Sequence, residues 1–160
     1  MDRFEKIFFG ISVVMLALFL CALFYASAAM HVHVQSSQEV ISVKPGGNLA
    51  MAVLTTAPFN NPGVKQIGPH DYEVDIIAQA WTFYPSEIKL PAGANVEFKA
   101  TSVDVTHGFL IPGTLINMML IPGQVSITHY RFEHAGTYLL LCHEYCGRGH
   151  HTMFAKVEVQ

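Results

Sequence analysis

Two thiols, three imidazoles, a carboxylate and a thioether fall within Cys142-His143-Glu144-Tyr145-Cys146-Gly147-Arg148-Gly149-His150-His151-Thr152-Met153. Thiolate, thioether and imidazole donors together select copper, zinc or iron–sulfur over hard cations. Cys146, His150 and Met153 are spaced so that one loop can wrap an ion. With one more imidazole from a distant strand they make the donor set of a mononuclear blue-copper electron-transfer site. Cys142 adds to this a second thiol, four residues before Cys146 and on the same side of a tight turn. Two thiolates can bridge two copper ions and let one electron be shared between them. Gly147 and Gly149 flank Arg148 and permit φ > 0, so the chain can close around a metal.

Other chemistries compete for the same residues. Cys142 and Cys146 can form a disulfide outside the cytoplasm. A Cys/His zinc site is open, although a thioether is an odd fourth partner for zinc. A loop without metal leaves the density of ligand types unexplained. The dicopper reading requires a second histidine from upstream.

Cys-x-Glu-x-Cys-Gly-x-Gly-His-x-x-Met resembles the binuclear copper (CuA) loop of subunit II of haem–copper cytochrome c oxidases, matched at Cys142, Glu144, Cys146, Gly147, Gly149, His150 and Met153. Asp104-Val105-Thr106-His107-Gly108-Phe109 is similar to the Asp-Val-x-His segment with which that family supplies its remaining imidazole. The resemblance runs from about Tyr72 to the end and loosely includes the N-terminus. It is nearer to the short, single-anchor, B-type branch.

The resemblance implies roles residue by residue. Cys142 and Cys146 are the bridging thiolates, and His107 and His150 each ligate one copper. Met153 is a weak axial ligand to one ion, and Glu144 gives its backbone carbonyl to the other. The Glu144 carboxylate would help hold Mg²⁺ where subunits I and II meet. Asp104 would either accept a hydrogen bond that steadies the site or cap a turn. In Trp81-Thr82-Phe83-Tyr84, Trp81 and Phe83 match the aromatic segment where electrons come in from cytochrome c, with core packing of Trp81 as the alternative. Arg148 would face the haem subunit and pair with an acidic group there. His143 and His151 neighbour the motif without belonging to it, and His70, His129 and His134 read as surface or turn residues.

The whole chain of 160 residues suits one compact domain plus one extra element. Hydrophobic residues make up 51% and charged ones only 13%, an excess concentrated at the N-terminus. The net charge of −3 is too small to argue for nucleic acid or an anionic membrane surface, and no basic cluster or phosphate-binding glycine loop occurs.

The uncharged run from Ile7 to Met30 would extend about 36 Å as a helix at ~1.5 Å per residue, enough for a hydrocarbon core of roughly 30 Å. A cleavable signal peptide is the rival, with Ala26-Ser27-Ala28 as its cleavage site, but the run exceeds the ~7–15 residues of a signal core. Cys21 reads as a small packing residue within it, and Ser12 and Ser27 as marks of a helix-packing face. Arg3 and Lys6 favour an inside N-terminus, which puts everything C-terminal outside.

We divide the chain into a membrane anchor (1–34), a connector (35–70) and a β domain (71–160). His31 and His33, just past the helix, read as interfacial; in the connector, Lys44-Pro45-Gly46-Gly47-Asn48 and Pro58-Phe59-Asn60-Asn61-Pro62-Gly63 are turn signals. Leu49–Leu54 between them suits a short helix or a surface-docked segment. From Tyr72 onward strand patterns alternate: Tyr72/Val74/Ile76/Ala78, Val96/Phe98/Ala100, Val125/Ile127 and Met153/Ala155/Val157/Val159. The turns Pro91-Ala92-Gly93, Ile111-Pro112-Gly113 and Ile121-Pro122-Gly123 separate such runs. The pattern predicts a β-sandwich or Greek-key barrel, and the resemblance implies its cupredoxin version, with His107 opening one strand and the Cys loop joining the last two.

The function implied is that of an electron-transfer subunit. A c-type cytochrome or similar donor would dock outside a cell membrane, and the electron would pass through the copper pair to haem in subunit I. Membrane lipid and a small extra single-helix subunit are further expected partners. Oxygen reduction would occur in the complex and not in this chain. The rivals are a tethered mononuclear cupredoxin or copper-delivery factor, a nitrous-oxide-reductase-like chain, for which 160 residues leave no room, and a small secreted disulfide protein.

Overall fold

Helix α1 spans Arg3–Ala29, and among the described residues it is the one helix long and apolar enough to cross a membrane. At 27 residues it would reach about 40 Å. None of its side chains is buried within the chain, so its apolar surface needs a non-aqueous environment or other helices. The computed structural model describes residues 2–29, 36–41 and 47–160, with only the backbone of 36–40. His31, His33 and the turn signal at Lys44-Pro45-Gly46 lie outside the described residues.

The chain divides into two compact units, Met1–His33 and Val34–Gln160. The second contains, in order, β1 (Ser36–Val40), α2 (Leu49–Thr55), β2 (Gly63–Gln66), β3 (Asp71–Gln79), β4 (Thr82–Tyr84), β5 (Glu87–Leu90), β6 (Ala94–Ser102), β7 (His107–Leu110), β8 (Asn117–Leu120), β9 (Gln124–Phe132), β10 (Gly136–Leu141) and β11 (Phe154–Val159). They form two sheets. One runs β1-β9-β6-β3-β2, with β4 also paired to β3, and the other runs β5-β11-β10-β7-β8. The β3–β6 and β11–β5 pairs are parallel and the others antiparallel. This is the expected all-β sandwich.

The 35–70 segment is less separate than its sequence suggests. β1 pairs with β9 and β2 with β3, so both complete the first sheet. Leu49–Leu54 is helical, and Asn48 caps α2 by accepting from the Met51 N–H at 3.2 Å. Such a cap meets one of the unpaired donors at a helix start.

The facing sheets enclose Val74, Ile76, Phe98, Phe109, Phe132, Leu140 and Val157. Phe98 meets Phe109 and Phe132 edge-on at centroid distances of 5.8 and 6.2 Å, and Phe83 meets Phe109 at 6.0 Å. A second cluster of Ile41, Val53, Phe59, Ile77, Val103 and Val125 covers part of the outer face of the first sheet. It explains two departures from simple alternation. Asp75, expected to face water, is fully buried. Val125 and Ile127 belong to the outer cluster, whereas Tyr130 and Phe132, on the opposite face of β9, reach the main core.

Charged residues cross that same outer face. Lys65 lies 2.6 Å from Asp75, Lys99 pairs with Glu73 and with Glu97 at 3.0 Å, and His129 lies 2.7 Å from Glu97. Burial pushes the Asp75 carboxyl up against the pull of Lys65. The Lys99 hydrogen bond holds Glu73 below the usual carboxylate range.

Candidate metal centre

β3 and β6 run parallel and end together, with Ala78 opposite Ser102. Beyond Ser102 the chain turns through Asp104 to His107, the first residue of β7. In the other sheet, β10 ends at Leu141 opposite Phe154, where β11 begins, so residues 142–153 form the loop between the last two strands. The bond from Cys142 N–H to Met153 O (3.2 Å) closes the base of that loop. One turn of 3-10 helix at His150–Thr152 carries its C-terminal part.

The loop brings soft donors together. Cys142 Sγ and Cys146 Sγ are 3.7 Å apart, and both cysteines are free and buried. His107 Nδ1 lies 3.9 Å from Cys142 Sγ, and His150 Nδ1 lies 3.6 Å from Cys146 Sγ. Donor atoms of His107, Cys142 and Cys146 all fall within 4.8 Å of one another. Cys142 Sγ is 3.3 Å from the Glu144 carbonyl oxygen, and Cys146 Sγ is 3.7 Å from Met153 Sδ. Each sulfur therefore has one imidazole and one weak neutral donor of its own. Donors of these types suit soft metals such as copper. The burial suits them too: His107 is fully enclosed and Met153 nearly so.

Burial, reinforced by Cys142, pushes the Cys146 thiol up to about 11. Two adjacent buried thiolates need positive charge between them, and a metal both supplies it and displaces the protons.

Asp104 contacts both His107 and the turn that leads to it. Its Oδ1 lies 2.9 Å from His107 Nε2 and accepts from the Val105 N–H at 2.7 Å. Its Oδ2 accepts from the Ala80 N–H at 2.7 Å. Burial opposes the charge, but the bonds from His107, Ala80 and Val105 hold the carboxyl below its ordinary range. A carboxylate on Nε2 leaves Nδ1 as the ligating nitrogen.

Trp81, just before β4, and Phe83, at its middle, have different fates. Phe83 is fully buried against Phe109, so it offers no surface of its own to a docked protein. It points inward because β4 alternates and Phe83 is the position that faces the core. Trp81 is 41% exposed. Its Nε1–H donates to the Cys146 carbonyl at 3.0 Å, a contact that sequence spacing did not reveal.

The two loop glycines also differ. Gly147 adopts φ +117°, as expected. Gly149 has φ −91° and is needed for another reason: a Cβ there would lie 2.5 Å from Trp81 Cδ2. Gly108 similarly leaves room for His143, whose backbone nitrogen would be 2.6 Å from an added Cβ. His143 Nδ1 is 3.7 Å from Glu144 Oε1, and His151 and Arg148 are exposed. Tyr145 is 80% exposed and stands edge-on to His150 at 6.0 Å.

Residues 82–160 match the family model described as cytochrome c oxidase subunit II, periplasmic domain. The chain is 36% identical to a cytochrome c oxidase subunit 2 from Thermus thermophilus over 98% of this chain and 92% of that relative. Among solved structures, it resembles a chain of a haem–copper terminal oxidase dimer at TM-score 0.78 and 32% identity, covering 99% of this chain and all of that one. The periplasmic domain of subunit II from Bradyrhizobium japonicum, 20% identical with TM-score 0.53 over 59% of this chain and 88% of that one, shares the fold. The sandwich is thus of the cupredoxin-like kind.

Proposed function

Because the chain belongs to the cytochrome c oxidase subunit II family, the copper-domain subunit of haem–copper terminal oxidases, we propose that residues 142–153 and His107 hold a binuclear copper centre that relays electrons to haem in subunit I. The observation that carries this reading is the duplicated donor set. Cys142 has His107 Nδ1 and the Glu144 carbonyl beside it, while Cys146 has His150 Nδ1 and Met153 Sδ. Cys142 and Cys146 would bridge, His107 and His150 would each serve one ion, and Met153 and the Glu144 carbonyl would be the weak ligands. The copper pair, when bound, supplies a one-electron redox couple shared over two ions.

The chain's own residues do the rest. Asp104 fixes the His107 ring so that Nδ1 faces the sulfurs. The sandwich holds both halves of the ligand set on the ends of paired strands, which keeps reorganisation on electron transfer small. Trp81, Tyr145 and Val105, all exposed residues of the loops at this end, offer an apolar surface to a c-type cytochrome or similar donor, where contact matters more than steering. Arg148, exposed beside the ligands, faces the haem subunit in this reading. The Glu144 carboxylate is available for Mg²⁺ at the junction with subunit I.

The chain is a single-pass membrane protein. Arg3 and Lys6 favour an inside N-terminus, which puts the copper domain on the outer, periplasmic face of the cell membrane. A small single-helix subunit would occupy the place of a second anchor.

Rapid mixing of the purified oxidase with a reduced c-type cytochrome tests the relay. Cytochrome oxidation should coincide with bleaching of the copper chromophore, followed by haem reduction. Haem reduction that proceeds at an unchanged rate in a His150→Ala oxidase lacking that chromophore would contradict it.

A further inference from the structure

Trp81 lies where the two halves of the ligand set meet. Its indole N–H is bonded to the Cys146 carbonyl. Its ring covers the backbone that follows: an added Cβ would come within 3.0 Å of Nε1 at Gly147 and within 2.5 Å of Cδ2 at Gly149. The preceding peptide N–H, that of Ala80, is bonded to Asp104, whose other oxygen holds His107. A continuous path of short contacts therefore runs from His107 through Asp104 and Ala80–Trp81 to Cys146–Gly149. An indole that merely met a docking protein would require neither the bond to Cys146 nor a residue without a side chain at 149.

We propose that Trp81 is a positioning residue of the metal centre, a strap that fixes the Cys146–His150 part of the loop relative to His107. This rests on the dicopper reading and adds to it a side chain that touches no metal. The N–H bond orients the Cys146 carbonyl, and the ring removes the freedom that two glycines would otherwise give the loop. Cys146 Sγ and His150 Nδ1 then keep their spacing in both redox states. A group that orients ligands from outside commonly changes metal affinity by about 10–100-fold when lost.

The test uses the full chain, copper-loaded in detergent, and reads the paramagnetic resonance spectrum and the rate of copper loss to a chelator. Trp81→Phe keeps a ring over the glycines but deletes the N–H. It should retain two coppers, alter the copper hyperfine pattern and lose metal about tenfold faster. Gly149→Ala displaces the indole and should reproduce that signature, and the double variant should go little further than either single one. If Gly149→Ala does not fold, Trp81→Phe decides alone. Unchanged spectra and chelator rates in Trp81→Phe, with only slower reduction by cytochrome, would overturn the strap and leave Trp81 a docking residue. A parent chain without a two-copper spectrum would instead remove the dicopper reading, and the strap with it.

Discussion

His107 Nε2 lies 2.9 Å from Asp104 Oδ1, while its Nδ1 faces Cys142 Sγ at 3.9 Å. One carboxylate thereby decides which nitrogen is left to bind metal. Asp104→Ala removes that constraint and also frees the Ala80 N–H. Copper affinity should fall by roughly 10–100-fold, measured by competition with a chelator, while the strands of the sandwich and its circular dichroism remain.

Met153 is nearly enclosed and sits 3.7 Å from Cys146 Sγ. Met153→Leu conserves volume and removes the thioether, so its folding cost should stay below about 1.5 kcal/mol. Both coppers should remain, because the thiolates and imidazoles are intact. The reduction potential should shift, since weak axial donors tune copper sites. An unchanged potential in a redox titration would show that the thioether is not a ligand.

Gly108 directly follows His107 and lies under His143. An alanine Cβ would meet the His143 backbone nitrogen at 2.6 Å, and backbone cannot rotate away. Gly108→Ala should therefore destabilise the domain by about 1–3 kcal/mol, seen as a lower thermal midpoint. The same substitution at Gly10, where an added Cβ meets nothing within 4 Å, should leave the domain's midpoint in place.

The donor loop was legible because its residue types have few other uses, and β3, β6 and β11 because alternation against a buried face is a direct imprint of the pleat. Trp81 and Phe83 show where that imprint stops. Both are aromatic in one short segment and two residues apart, yet Phe83 sits within β4 and faces the core, while Trp81 precedes that strand and lies over a loop 65 positions away. Gly149 was read as a conformational need and proved to be a steric one, which only the approach of a distant side chain reveals. Asp75 and Val125 departed from the simple pattern because a second apolar cluster, built partly from α2, covers the face that a lone sheet would give to water. β1 and β2 are short and lack apolar alternation, so nothing local marked them as strands.

Lys99 bonds Glu73 on the neighbouring strand β3 and Glu97 on its own strand. Its hydrogen bond holds Glu73 low. For Glu97 burial acts upward, and bonds from Lys99 and His129 outweigh it. Lowered carboxyls add stability that is complete above the ordinary carboxylate range, near pH 4.3, and is lost as pH falls through their lowered values. Lys99→Met should cost about 1–3 kcal/mol at pH 7 and progressively less toward pH 3, followed by urea midpoints across that range. Asp75, which burial shifts upward, works in the opposite sense and is left in place by this substitution.

The central claim is that two copper ions share the bridge formed by Cys142 and Cys146. The most direct measurement is copper per chain together with the paramagnetic resonance spectrum of the oxidised full-length protein. Two coppers, with hyperfine splitting from one unpaired electron spread over both nuclei, is the result expected. One copper with a single-nucleus pattern, zinc in its place, or a Cys142–Cys146 disulfide with no metal would contradict the account.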